Sequence, residues 1–160
     1  MRNTLRLGAL AALVASVTVG ANVAPAQSPN DQIVGTWTLT EVYDQHDDGT
    51  RQNPWGPGVM GQLTYTPNGR FSLMIMAANR LGNGDNPRVP VGPALAYFGS
   101  YVVRGADVVH LPERSSFPPF EGHERPLTTK VTGDVMEQTA PAIGPPGKSF
   151  VPHLDWTRSR

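Results

Sequence analysis

Residues 61–76, Gly-Gln-Leu-Thr-Tyr-Thr-Pro-Asn-Gly-Arg-Phe-Ser-Leu-Met-Ile-Met, leave the chain few folds to choose from. Two strand-like runs, 62–66 and 70–76, flank Pro67-Asn68-Gly69. Pro67 presets φ for the first corner of a tight turn, and Gly69 takes positive φ without steric cost. A three-residue loop with glycine in the left-handed position is a common link between antiparallel strands. Leu63 and Tyr65 alternate with polar neighbours, as a half-buried strand requires. The second run is apolar on both faces, with Phe71, Leu73 and Ile75 on one and Met74 and Met76 on the other. We therefore expect one face of that strand to border a covering layer or a cavity.

The same punctuation runs through the chain. Sixteen prolines and seventeen glycines in 160 residues suppress long helices and favour short strands joined by turns. Residues 33–43 read as a first strand with Trp37, Leu39 and Tyr43 on one face, and 44–58 as a loop. Residues 77–93 show no usable periodicity and read as a long loop, either a lid over a site or disordered. A hairpin follows over 95–111, which Pro112 should end. Another spans 123–139, where Pro126 confines its strand to an edge or a bulge. Residues 148–158 close the chain. About eight short strands in hairpin order must hide their sheet edges, and an up-and-down antiparallel β-barrel does so completely. The fold class is accordingly all-β, a barrel with room inside for side chains or one small ligand.

The first residues stand outside this pattern. Arg2 and Arg6 precede an apolar run from Leu7 to Gly20, and Ala24-Pro25-Ala26 follows, the layout of a secretory signal peptide. We expect cleavage after Ala26, leaving 27–160 as a single barrel domain in the periplasm or outside a bacterial cell, with no stable membrane anchor. Absence of cysteine removes lipid-anchored lipoproteins, disulfide scaffolds and thiolate metal sites. Loss of two arginines leaves a slightly acidic mature chain without a basic stripe, so no nucleic-acid partner is expected. Its size suits a monomer.

Five blocks in order resemble the bacterial lipocalin-like domain family, a branch of the calycin barrels. They are Gly35-x-Trp37-x-Leu39, Gly61-x-Leu63-x-Tyr65-x-Pro67-x-Gly69, Tyr97-Phe98-Gly99-Ser100-Tyr101, Val109-His110, and Leu154-Asp155-Trp156-Thr157-Arg158. The resemblance implies a lipocalin-like barrel with Trp37 filling its narrow end against Arg158. A guanidinium over an indole is worth ~0.5–2 kcal/mol.

Candidate chemistry is sparse. His110, mid-strand, is a general base or ligand contact if it faces inward, and otherwise a satisfied core histidine. Arg125 offers a fork to a carboxylate, or is a rim charge paired with Glu124 or Glu137. Tyr65 and Tyr101, with Tyr97, could orient a ligand's polar end, and Met74 and Met76 would be adaptable apolar lining, with Leu73 and Ile75 the alternative lining if the register is the other way round. Glu121-x-His123-Glu124 lacks a third metal ligand, and neither a phosphate loop nor a nucleophile elbow is present. We expect no cofactor. The reading is a barrel binding a small apolar or amphipathic molecule through Tyr65, Met74, Met76, Tyr101, His110 and Arg125. Two alternatives stand beside it: a cyclase or isomerase using His110 and a tyrosine to move a proton, and a structural barrel with a filled core.

Overall fold

A computed structural model describes residues 29–81 and 92–160. After a short helix α1 (Pro29–Ile33), nine strands follow in chain order: β1 (Gly35–His46), β2 (Arg51–Gln52), β3 (Met60–Tyr65), β4 (Arg70–Leu81), β5 (Gly92–Arg104), β6 (Asp107–Ser115), β7 (Arg125–Thr132), β8 (Val135–Thr139) and β9 (Phe150–Arg158). Each main strand pairs antiparallel with the next, and β9 returns to pair with β1 from Trp37↔Arg158 to His46↔Phe150. Eight strands thus close a barrel, while the two-residue β2 only adds to the far end of β1. The expected fold class is the one observed.

The hairpin that constrained the sequence forms as its turn chemistry demands. Gly69 sits at φ +78° and its amide bonds the Thr66 carbonyl at 3.1 Å. Tyr65 then faces Phe71 across the ladder. Inside the barrel point Phe71, Leu73, Ile75 and Ala77; outside point Met74 and Met76, 42% and 39% exposed. The period-2 alternation is intact, and among the described residues neither a sheet nor a helix covers the outer face.

Three details depart from expectation. A bulge between Leu39 and Glu41 slips β1 by one residue, which exchanges faces for everything after it. Val42 is consequently buried, and Tyr43 lies outside, stacked on His153 with ring centroids 4.7 Å apart. Pro112 does not end β6, which runs on to Ser115 because a second bulge, opposite Phe98 and Gly99, absorbs the missing donor. The expected loop at 77–93 is strand over 77–81 and from Gly92 onward; the rest of it, and the expected signal peptide, lie outside the described residues. Pro126 is placed as expected in substance. It pairs with Val109 of β6, while β8 joins β7 only from Thr128, so the proline has one open side.

Up-and-down connectivity gives the barrel two unlike ends. At one, α1 leads into β1 and β9 finishes. Trp37 is fully buried there, its Nε1 donating to the Ile33 carbonyl at 2.8 Å. The Arg158 guanidinium lies 4.1 Å from the Trp37 ring centroid and donates to the carbonyls of Val34 and Gln32 at 2.7 and 2.6 Å. One side chain therefore covers the indole and also satisfies carbonyls left over at the end of α1. Trp156, Leu63 and Met136 complete this packed end. The opposite end is left for the loops between β2 and β3, β6 and β7, and β8 and β9.

Candidate functional site

At that second end the barrel holds a cavity of about 200 Å³. Val42, Leu73, Ile75, Leu95, Leu127 and Leu154 form its apolar wall, and Trp55, Phe120 and Ile143 come to it from the connecting loops. Among the described residues its polar groups are few: Tyr97, Arg125 and Asp44. Leu73 and Ile75 reach it because they share the inward face of β4 with Phe71. Mostly apolar walls with a few polar handles are the usual make-up of a small-molecule site. The volume sits below the common range for drug-sized ligands and near the ~150 Å³ of an apolar cavity that accepts benzene.

Beneath the cavity lies a buried polar chain. Thr129 donates through its hydroxyl to the Leu127 carbonyl at 2.8 Å, so its oxygen is left to accept from Gln138 Nε2 at 3.2 Å. The same Gln138 nitrogen donates to the Tyr65 hydroxyl at 3.0 Å. Tyr65, accepting there, donates its own proton to His110 Nε2 at 2.6 Å. That bond places the imidazole proton on Nδ1, which faces the Tyr97 hydroxyl at 3.4 Å. Phe71 stacks on the His110 ring with centroids 4.0 Å apart. The assignment leaves Gln138 Oε1 buried without a partner among the described residues.

Burial dominates the electrostatics of this chain. It drives His110 down to about 3, with the Arg125 charge adding to the effect. Burial also pushes Tyr97 up to about 12, although Arg125, close enough to interact with its hydroxyl, offsets part of the rise. Tyr65 is raised well above the usual phenol range, again by burial and against the Gln138 hydrogen bond. Near neutral pH the imidazole and both phenols are therefore uncharged. A general acid or base works best with a pKa near the operating pH, and neither His110 nor Tyr97 has one.

The residues singled out from sequence separate into three groups. Arg125 lines the cavity. Tyr65 and His110 meet in the polar chain below it, without reaching its wall. Tyr101 lies elsewhere: its hydroxyl donates to the Thr66 carbonyl at 2.9 Å, and its ring packs edge-on against Tyr65. Met74 and Met76 were expected as lining and are instead on the outer surface, because the register turns Leu73 and Ile75 inward. Glu124 and Glu137, the partners considered for Arg125, are engaged with Arg104 at 2.8 Å and Lys130 at 3.7 Å. Among the described residues no group of three His, Asp or Glu side chains could hold a metal ion.

Tyr97, considered from the sequence beside Tyr65 and Tyr101 for orienting a ligand's polar end, lines the cavity, whereas Gln138 and Phe120 were not among the expected site residues. Gln138 had a legible signal, since it shares the inward parity of β8 with Met136. Phe120 had none, because a short 3₁₀ turn at Pro118–Phe120 brings it over the barrel end.

None of the curated proteins matches the chain. A family model for the lipocalin-like domain matches residues 34–158, from the strand that carries Trp37 to the arginine that covers it. With nearly the whole described barrel inside that match, the chain belongs to the lipocalin-like domain family.

Proposed function

We propose that this protein is an exported monomeric barrel, periplasmic or released, that holds one small apolar or amphipathic molecule in its open end. The carrying observation is the cavity of about 200 Å³ walled by Val42, Leu73, Ile75, Leu95, Leu127 and Leu154. A filled structural core would have closed this space with side chains, as it does around Trp37 and Trp156. The enzymatic reading finds less support. His110 has both ring nitrogens facing phenols and stays neutral, and the Tyr101 hydroxyl donates to the Thr66 carbonyl rather than to His110.

Occupancy is tested by filling the space from its wall. Leu154→Trp should abolish uptake of benzene, followed by NMR titration, while the thermal midpoint holds within a few degrees. Met74→Trp, which adds the same ring to the outer face, should leave uptake unchanged. Equal uptake by the wild type and Leu154→Trp would show that the probe binds elsewhere. Native mass spectrometry of protein purified from its own host would then look for a retained ligand.

A further inference from the structure

We infer that the ligand's polar end is a carboxylate, taken by Arg125 and Tyr97. This rests on the reading of the cavity as a ligand site and adds the chemical class of the molecule. Arg125 lines the cavity, and its Nε is buried without a hydrogen-bond partner among the described residues. Its guanidinium carbon stands 3.3 Å from the centroid of the Phe120 ring, so one face is covered by an aromatic and the N–H edge remains for bonding. No ion pair engages Arg125 among the described residues, because Glu124 and Glu137 belong to Arg104 and Lys130. A cation kept in a largely apolar wall without a counter-ion is costly, and a buried anion beside it relieves that cost.

The polar chain supplies a second donor. Gln138 is oriented by Thr129, Tyr65 by Gln138, and His110 by Tyr65. His110 Nδ1–H then points to the Tyr97 oxygen, which leaves the Tyr97 proton with no acceptor among the described residues. Tyr97 also lines the cavity. The Tyr97 hydroxyl proton and the Arg125 N–H groups thus form one polar corner made of donors alone. Only an acceptor satisfies such a corner, and a net positive charge favours an anionic one. A planar carboxylate matches the guanidinium edge and can accept from the phenol as well. Among the described residues Asp44 is the one carboxylate on the wall. Burial raises its pKa, and the charge that offsets this is His46 rather than Arg125. No ion pair joins Asp44 to Arg125 among the described residues, and its charge disfavours an anion from a distance.

The test compares three probes of one ring on the purified chain by calorimetry or NMR titration: cyclohexanecarboxylate, cyclohexanecarboxamide and benzene. The carboxylate should bind at least tenfold tighter than the amide in the wild type. Arg125→Gln and Tyr97→Phe should each erase most of that preference, with benzene binding to each variant reporting whether its cavity still forms. Asp44→Asn should strengthen carboxylate binding alone. Should Arg125→Gln fail to fold, the wild-type preference and Tyr97→Phe still decide the matter. If benzene binds and the carboxylate is no better than the amide, the head-group assignment is wrong and the cavity reading survives. If no probe binds, the cavity reading fails and this inference with it.

Discussion

His110 is fully buried, and its value to the fold is as a neutral hinge between two phenols. Its folded pKa lies near 3, against about 6.5 in an unfolded chain. Between those values the unfolded state carries a proton that the native state refuses. Stability is thus full above the unfolded pKa and falls as the pH drops below it, at up to ~1.4 kcal/mol per unit. Between pH 7 and pH 5 the wild type should lose about 2 kcal/mol more than His110→Gln, read from urea midpoints at each pH. Parallel losses would mean that His110 is protonated in the native state. Trp37 makes the complementary residue-scale case at the packed end. Trp37→Ala should cost ~3–5 kcal/mol, and an unchanged denaturation midpoint would remove its assignment as the plug of that end.

At the scale of elements, the β5–β6 pair shows how one glycine permits a fold feature. The bulge that lets Pro112 stay in β6 brings the Leu111 carbonyl over Gly99, where an added Cβ would stand only 2.1 Å from the oxygen. Backbone cannot yield as a flexible side chain can, so Gly99→Ala must displace the strand. We expect a loss of ~1–3 kcal/mol or more, together with disturbed amide shifts at Leu111 and Glu113. Substitution at Gly105, where nothing lies within 4 Å but φ is +63°, tests backbone strain separately. The bulge also sets the site, since its two neighbouring strands bring the hydroxyl of Tyr97 on β5 within 3.4 Å of the ring of His110 on β6. A loss of the Tyr65–His110 contact in Gly99→Ala, seen in imidazole chemical shifts, would show that coupling directly.

For the whole molecule, the contrast between the two ends governs what the protein can do. One end is packed tight by two tryptophans and tied by Arg158 to the last carbonyls before β1, while the other leaves space under its loops. The proposed export belongs to this scale too, because a barrel that is periplasmic or released would meet a ligand outside the cytoplasm. The mature chain should begin at Gln27, following Ala24-Pro25-Ala26. N-terminal sequencing of the exported protein that returned Met1 would refute that placement.

The sequence by itself determined the barrel: turn residues at Pro67-Asn68-Gly69, Thr132-Gly133-Asp134 and Arg104-Gly105-Ala106 are local chemistry, and local chemistry is readable along a chain. It also pointed to Trp37 with Arg158 as a pair through the family resemblance. Tertiary structure alone decided which face of β4 looks inward. Phe71-Leu73-Ile75 and Met74-Met76 are both apolar, and a single residue of register exchanges them. It alone decided that Val42 rather than Tyr43 follows Leu39 inside, because the bulge in β1 answers to the register of β9 and not to any residue of β1. The meeting of Arg125 with Tyr97 and Phe120 was decided there as well. Those three come from β7, β5 and a short turn, and only closure of the barrel sets them around one cavity.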